Sequence, residues 1–345
     1  MKVSEIGEFG LIDRLARIVG RGGDGVVKGI GDDAAVLEPA VGGGRLLASC
    51  DMQVEGYHFE LEQITPEQLG HRVLAVNISD IAAMGGRPRW ALVTLGLTPD
   101  IEVEFAERLY RGLHKLAEEF GVSIVGGDTC RSPERLVVDV AILGEAHAKG
   151  VLLRSGARPG DLLLVTGEVG SSAAGLACLR AQEELDRAGI GPETTSRLVS
   201  AFLTPIPRIG AGRFFVECGL VTSTDDISDG LASETNEIAQ ASGVGFRVWA
   251  EHLPVAPETK EVAGVLGEDP LRWALYGGED FELLFTLRPG SGSQAVEDFI
   301  QAAEEAAGIP VTVIGEAVPA SEGVKLVHGG EMTDLRPGGY DHFRD

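Results

Sequence analysis

The chain has 345 residues, of which 44% are hydrophobic, and its formal net charge at neutral pH is −24. A chain of this length can bury a large core and form two domains, whereas its strong negative charge argues against binding nucleic acid or an anionic membrane by general electrostatics. No stretch approaches the roughly 20 uninterrupted apolar residues that cross a bilayer, and the first residues lack a signal-peptide pattern, so we expect a soluble cytoplasmic protein without a membrane partner.

The first half of the chain alternates between helical and strand-like patterns. A helical pattern over residues 8–19 is followed by glycine-rich sequence that ends at Asp32 and Asp33. Further helices are predicted over residues 66–84 and 103–120. Strand-like runs occupy residues 46–49, 90–97, 122–125 and 136–143. This alternation predicts a layered, mixed α/β domain.

The helix predicted over residues 66–84 carries an unusual carboxylate. Thr65 and Pro66 are typical of a helix start, and apolar residues then recur at spacings of four and three. Asp80 continues this apolar stripe, and a carboxylate on a core-facing stripe needs a partner. A buried N–H or an arginine could serve, but the nearby Asn77, one turn away, favours a metal ion or metal-bound phosphate.

A second unit begins near residues 154–161, a polar segment with glycine and proline that is suited to a boundary. Strands are predicted there at residues 162–165, 220–222, 281–287 and 311–314, and helices at 171–187, at 208–218, from 229 onwards and at 294–307. We therefore predict two domains, residues 1–147 and 148–345.

Acidic motifs recur where apolar runs stop. Any one of them could be an ordinary turn, because aspartate and glycine are common turn residues. Their repetition instead favours ligands for Mg²⁺, which binds a few carboxylates together with water and phosphate oxygens. The carboxylates in these motifs belong to Asp33, Asp51, Asp128, Asp226 and Asp229.

The usual nucleotide-binding loops are absent from the sequence. It contains neither the P-loop pattern, nor the protein-kinase motifs, nor a Rossmann glycine fingerprint after a first strand. What remains is phosphate binding through metal ions, which suits phosphoryl transfer. Arg131 and Arg154 are either contacts to phosphate or ordinary surface and ion-pair residues.

Other reactive side chains give weaker signals. The four cysteines lack zinc-site spacing and are most simply reduced thiols. The alternative is a nucleophilic role for Cys50 or Cys130, which lie close to motif aspartates. A lone histidine such as His58 is more often structural than chemical. Glu279 and Asp280 follow a double glycine, so either one of them points into a cleft or both are solvated at a hairpin turn.

Taken together, the motifs resemble the thiamine-monophosphate kinase family, a member of the aminoimidazole ribonucleotide synthetase superfamily. They occur in the family's order and nearly end to end. The segments that carry the resemblance are residues 7–12, 29–34, 51–59, 75–85, 126–129, 154–161, 227–231, 277–283 and 339–343.

The resemblance implies a fold and a reaction. The fold would be α/β with mixed sheets in two domains, in which the N-terminal domains of a homodimer form a shared β-barrel and bind ATP and Mg²⁺. The C-terminal α/β domain would complete the phosphate and substrate site. The reaction would be direct in-line phosphorylation of thiamine monophosphate by ATP, dependent on several Mg²⁺ ions, to give thiamine diphosphate as the last step of its biosynthesis.

The resemblance also implies roles for individual residues, although it assigns no catalytic base. The metal ligands would be Asp33, Ser49, Cys50, Asp51, Asp80, Asp128, Asp226 and Asp229. The nucleotide would be bound by Tyr110, Gly127, Asp128, Arg154 and Ser228. The thiamine end would be bound by His58, Glu279 and Tyr340.

Two positions depart from the family pattern. Cys50 stands where relatives often carry threonine, so a ligand there would be its backbone carbonyl. Pro337 stands where relatives can carry an aromatic that stacks on the substrate ring, a role that Tyr340 could partly take over. The alternatives are another enzyme of the superfamily, acting on a different acceptor, and a nucleotide sensor on the same fold that has no catalytic activity.

Overall fold

The computed structural model describes residues 26–28, 32–38, 44–290 and 293–338. The helix predicted over residues 8–19 lies outside these residues, as do Gly29 to Gly31 and the closing motif with Tyr340 and His342.

The N-terminal half forms a six-stranded sheet with the order β1-β2-β3-β6-β4-β5. Its strands are β1 Val26–Lys28, β2 Ala35–Leu37, β3 Leu46–Val54, β4 Arg87–Leu97, β5 Ser123–Arg131 and β6 Val137–Glu145. Its helices are α1 Pro66–Ala83 and α2 Val103–Phe120. The sheet does not close into a barrel within the described part of one chain.

The two faces of this sheet differ in burial. Val93 of β4 and Val140 of β6 are fully buried in the core that α1 and α2 cover. On the opposite face, Met52 is 55% and Leu92 is 42% exposed. The alternation of buried and exposed positions along these strands is therefore that of a sheet covered on one side in a single chain.

Helix α1 starts as the sequence predicts. Thr65 and Gln68 form a reciprocal capping box, in which each side chain accepts a hydrogen bond from the other's backbone N–H, and Pro66 opens the helix. Leu69 and Val73 are fully buried, so the predicted apolar stripe faces the core.

The C-terminal half forms a seven-stranded sheet with the order β13-β12-β9-β11-β7-β10-β8. Its strands are β7 Leu162–Thr166, β8 Val221–Asp226, β9 Val244–Trp249, β10 Leu283–Leu287, β11 Val311–Pro319, β12 Val324–His328 and β13 Glu331–Asp334. Its α-helices are α3 Ser171–Arg180, α4 Gln182–Ala188, α5 Pro192–Leu203, α6 Ile209–Cys218, α7 Leu231–Ser242, α8 Pro257–Leu266, α9 Pro270–Tyr276 and α10 Ser293–Ala307. Single 3₁₀ turns occupy Ala250–His252 and Ala320–Glu322.

Helix α1 also packs against the C-terminal half. Ala82 and Ala83, at its end, share a buried cluster with Phe215 of α6, Phe285 of β10 and Phe299 of α10. Polar residues of α1 can therefore reach groups from both halves. No helix in the described ranges is long and apolar enough to span a membrane.

Candidate active site

Three carboxylates from distant parts of the chain meet beside α1. Asp33 precedes β2, Asp80 lies in the last turns of α1, and Asp226 ends β8; one carboxylate oxygen from each lies within 4.8 Å of the other two. Burial, followed by the charges of Asp51, Asp226 and Asp33, raises the pKa of Asp80 well above its ordinary value. Burial and the charge of Asp33 raise the pKa of Asp226 to about 8. A divalent cation would stabilise the ionised forms of all three.

Hydroxyl groups orient these carboxylates. Ser49 Oγ donates to Asp80 Oδ2 at 2.5 Å and also lies 3.0 Å from the carbonyl oxygen of Asp33. Ser79 Oγ donates to Asp226 Oδ2 at 2.5 Å. Asp33 Oδ2 is buried and has no hydrogen-bond partner among the described residues. This set of carboxylate and hydroxyl oxygens, one of them without a partner, fits a hard cation such as Mg²⁺.

Asn77 links α1 to strand β3. Its Oδ1 accepts the backbone N–H of Asp51 at 3.1 Å, and its Nδ2 donates to the carbonyl of Val73 at 2.9 Å. Because Asn77 is fully buried, this pair of bonds fixes the backbone of Asp51 relative to the helix that carries Asp80.

Arg154 lies at the same cluster in the segment between the two sheets. Its Nε lies 3.0 Å from Asp225 Oδ1, and its two terminal nitrogens pair with Asp33 and Glu237. All three guanidinium nitrogens therefore contact carboxylates. Arg154 thus forms ion pairs, and its contact with a phosphate stays a prediction.

Two cavities share part of their walls, and one of them is lined by Asp51, whose charge acts on Asp80 and Asp226. The acidic cavity, about 400 Å³, is lined by residues that include Asp51, Gln53, His58, Ser228, Asp229 and Glu279. The aromatic cavity, about 430 Å³, is lined by residues that include Ser172, Phe202, Leu266 and Trp273. Leu176, Arg180, Gly277 and Glu279 line both. The acidic cavity suits a cation or an anionic group that carries bound cations, and the aromatic cavity suits a ring.

The loop between α9 and β10 forms the shared wall. Glu279 and Phe281 have left-handed backbones, with φ of 59° and 50°, which residues other than glycine rarely adopt. The Glu279 N–H donates to the carbonyl of Ser228 at 2.7 Å, and the Phe281 N–H donates to the carbonyl of Ile227 at 2.9 Å. The strained loop is therefore held against the segment that carries Ser228 and Asp229.

Comparison with known proteins identifies the family. The family model described as AIR synthase related protein, N-terminal domain, matches residues 31–146, and the corresponding C-terminal model matches residues 158–327. Thiamine-monophosphate kinase of Bacillus subtilis is 37% identical over 322 residues, 92% of this chain and 93% of its own. The Escherichia coli K12 enzyme of that name is 39% identical over 339 residues, 98% of each chain. The chain belongs to the thiamine-monophosphate kinase family.

A solved structure of the family agrees in fold. The structure described as AaThiL complexed with AMPPCP and TMP matches with a TM-score of 0.83 and 34% sequence identity, over 99% of each chain. This match confirms the mixed α/β, two-domain fold expected for a thiamine-monophosphate kinase. The domain boundary between residues 147 and 148 stays a prediction.

Most of the residues singled out from the family motifs lie around the cluster and the acidic cavity. Asp33, Ser49, Asp80 and Asp226 form the cluster with its hydroxyl, and Asp51, His58, Ser228, Asp229 and Glu279 line the cavity. His58 Nδ1 accepts the backbone N–H of Val54 at 3.0 Å, which orients its ring. Asp280 points away from the acidic cavity and accepts the N–H groups of Gly170 and Ser172.

Asp128 does not join the cluster within one chain. It pairs with Thr94 on β4, which pairs with Asp139 on β6, which pairs with Met52 on β3. Asp128 therefore lies on the same face as the exposed Met52, opposite to Asp51, and two strands separate it from β3, about 14 Å at the usual strand spacing. Its neighbour Gly127 lies on the same edge strand, β5.

Two further predicted residues, Tyr110 and Cys50, do not belong to the cluster. Tyr110, on α2, lines neither cavity. Cys50 is exposed on the uncovered face of β3, where burial and the charges of Asp139 and Asp51 raise the pKa of its thiol. A raised pKa disfavours the thiolate that a nucleophile needs. Tyr340 lies outside the described residues.

The sequence reasoning did not single out Arg72 or Ser79. Arg72 is fully buried in α1, and Ser79 donates to Asp226. The signal for Arg72 was its position four residues before Val76 and eight before Asp80, which places a cation on the same buried helical stripe as the carboxylate.

Proposed function

We propose that this chain phosphorylates thiamine monophosphate to thiamine diphosphate with ATP and Mg²⁺, by direct in-line transfer. The observation that carries the proposal is that Asp51, whose charge acts on the clustered Asp80 and Asp226, lines a cavity that also holds His58 and Glu279. Its relatives are named thiamine-monophosphate kinases, and one solved relative is described as a complex with AMPPCP and TMP.

The carboxylate cluster would hold Mg²⁺. When bound, Mg²⁺ neutralises charge on the phosphate groups and orients their oxygens. Asp33, Asp80 and Asp226 supply carboxylate oxygens, Ser49 and Ser79 fix two of those carboxylates, and Asp51 and Asp229 line the adjoining cavity. This arrangement serves a reaction in which the protein mainly positions two phosphates, so no general base is assigned.

The nucleotide would approach from the Ser228 side of the acidic cavity. In this proposal Ser228, Gly127 and Tyr110 contact ATP. Arg154 would contact a phosphate oxygen only by releasing one of its carboxylate partners. Cys50 would contribute its carbonyl oxygen to a metal ion.

The acceptor would bridge the two cavities. Its phosphate would face the carboxylate cluster, and its ring system would lie toward Trp273 and Phe202 of the aromatic cavity. His58 and Glu279 line the intervening wall, where an anionic carboxylate would favour a positively charged thiazolium ring. Tyr340 remains part of the proposed ring site.

A second copy of the chain would complete the nucleotide site. Strand β5 ends the sheet order, and β3 pairs with β2 only at residues 46–48, so in the described part residues 49–54 have a strand partner on one side only. Pairing β5 of one copy with this part of β3 in another would close a barrel of β3, β6, β4 and β5 from each copy and cover Met52 and Leu92. It would place the strand that carries Asp128 in one copy beside the strand that carries Asp51 in the other.

A cytoplasmic location is part of the proposal. The four cysteines are free thiols in the structure, which suits a reducing compartment.

The test is acceptor use by the purified chain. With ATP and Mg²⁺, thiamine monophosphate should give thiamine diphosphate and one ADP per product, whereas free thiamine and formylglycinamidine ribonucleotide should give none. Turnover of the ribonucleotide alone would instead assign another reaction of the superfamily. Stabilisation by ATP without turnover of any of the three would favour a nucleotide sensor.

A further inference from the structure

Arg72 is a buried cation that lines neither cavity but contacts the walls of both. Its side chain is fully inaccessible to solvent. Nε donates to Gln53 Oε1, in the acidic cavity wall, at 3.2 Å. One terminal nitrogen donates to the carbonyl of Phe202, whose ring lies 4.4 Å from the guanidinium carbon and lines the aromatic cavity. The other donates to Glu279, which lines both cavities.

Each nitrogen of the guanidinium thus has a different acceptor. A buried cation is tolerated only when its donors are paired, and the planar fork of arginine meets three acceptors in fixed directions. A lysine ammonium at this position would keep the charge but could not reach all three acceptors in the same geometry.

Glu279 needs such a partner. The loop fixes its backbone, which is left-handed and whose N–H donates to the carbonyl of Ser228. These contacts do not fix the side chain, which is held by Arg72. Arg72 binds Oε1, while Oε2 makes no hydrogen bond to any described residue. One oxygen of the carboxylate is therefore anchored and the other is available to a ligand.

We propose that Arg72 is the positioning residue of the acceptor site. By holding Oε1 of Glu279 and packing on Phe202, it presents the second carboxylate oxygen to the positively charged ring of the acceptor and sets the boundary between the two cavities. Because Arg72 and Asp80 share α1, the same helix positions the acceptor wall and the carboxylate cluster. This inference rests on the proposed function.

The test compares Arg72→Met and Arg72→Lys in the purified full chain. Arg72→Met should raise KM for thiamine monophosphate about tenfold or more, as expected for loss of a charge-assisted hydrogen bond that orients a binding group, with KM for ATP changed by less than about twofold. Arg72→Lys should produce a smaller rise, and it keeps the test informative if Arg72→Met fails to fold. Arg247→Met, which removes another ion-paired arginine outside both cavities, is the matched control and should leave both KM values unchanged.

A double substitution separates positioning from a general structural role. If Arg72 acts through Glu279, Arg72→Met should add less than about twofold to KM for thiamine monophosphate in a Glu279→Gln background. An undiminished effect in that background, or an unchanged KM for thiamine monophosphate in folded Arg72→Lys and Arg72→Met, would overturn the inference. Wild-type turnover of thiamine monophosphate is measured in the same series, so a failure of the proposed function is distinguished from a failure of this inference alone.

Discussion

At the scale of single residues, the buried carboxylates of the cluster destabilise the folded chain because they repel one another when ionised. The pKa of Asp80 is raised by burial and by neighbouring carboxylates, so the folded chain binds the proton more tightly than the unfolded chain does. The contribution of Asp80 to stability is therefore lost as pH rises through its folded pKa, and the ionised group destabilises the metal-free fold. Mg²⁺ would offset this cost.

Replacing Asp80 should separate activity from stability. In Asp80→Asn we expect turnover to fall by about a hundredfold or more, because the proposed Mg²⁺ site would lose one of its carboxylates. In a chelator, the melting temperature of this variant should be at or above that of the wild type, because asparagine replaces a buried carboxyl group that is costly to ionise beside other carboxylates. Asp298→Asn, at an exposed position of α10, is the control and should change neither value. Wild-type turnover in Asp80→Asn would contradict the proposed role of Asp80 as a metal ligand.

Asp280 should make stability depend on pH. Burial raises its pKa from 3.8 to about 7, although the N–H groups of Gly170 and Ser172 lower it. The folded pKa is the higher one, so this contribution is fully present below about pH 4 and is lost as pH rises to about 7, at up to about 1.4 kcal/mol per pH unit. The destabilisation by Asp280→Asn in urea unfolding should therefore be larger at pH 5 than at pH 7.5. Equal destabilisation at both pH values would show that Asp280 titrates normally.

Among the elements, helix α1 matters most for the site because it carries Asp80 and Arg72. Neighbouring helices approach its backbone closely, which fixes its position. A Cβ on Gly112 of α2 would lie 2.0 Å from the carbonyl oxygen of Glu67, and a Cβ on Gly70 would lie 2.0 Å from that of Leu109. A Cβ on Gly212 of α6 would lie 2.0 Å from the carbonyl oxygen of Ala82. Helix α1 therefore cannot shift without disturbing both neighbours.

Gly112→Ala should test this close packing. The added methyl group would force α1 and α2 apart, and we expect a loss of about 1–3 kcal/mol in the free energy of unfolding. Gly264→Ala on α8, where a Cβ would meet no atom within 4 Å, is the matched control and should gain about 0.5–1 kcal/mol. The comparison is made by chemical denaturation. Equal, small effects in the two variants would contradict the packing argument.

Sequence patterns predicted some elements much better than others. Helix α2 occupies the residues predicted, and α1 ends within one residue of its prediction, because both combine strong periodicity with clear ends. The single helix predicted over residues 171–187 is wrong, since the chain breaks at Ala181, where neither glycine nor proline signals an end. Strand β5 continues to Arg131, beyond the apolar run that predicted it, because pairing with β4 extends it through the Gly-Gly-Asp motif.

At the scale of the whole molecule, the site residues could be predicted only in part. The recurrence of aspartates after apolar runs predicted a shared cation site, but their positions in the fold differ: Asp226 ends β8, Asp33 precedes β2 and Asp80 lies in α1. The ion pairs of Arg154, and the contacts of Arg72 with Phe202 and Glu279, join residues more than 70 positions apart, so no local sequence pattern could predict them. Whether Asp128 reaches the site depends on a second copy of the chain, because in one chain it lies on the opposite face from Asp51.

Mixed dimers would test whether Asp128 of one copy contributes to the site of the other. Asp80→Asn and Asp128→Asn should each be inactive alone. If each site uses Asp128 of the partner, a mixed dimer has one site with both lesions and one with neither, so unfolding and refolding the two variants together should restore about a quarter of wild-type activity. No recovery, in samples shown to contain mixed dimers, would place Asp128 in the site of its own chain or outside the site.

The most direct measurement of the central proposal is a single turnover with ATP labelled in its γ-phosphoryl group. With Mg²⁺, thiamine monophosphate and excess enzyme, we predict that the label appears in the terminal phosphate of thiamine diphosphate, at the rate at which ADP forms, with no label on the protein. Label found first on the protein would contradict direct transfer between substrates. Release of the label only as inorganic phosphate would contradict the assignment of thiamine monophosphate as the acceptor.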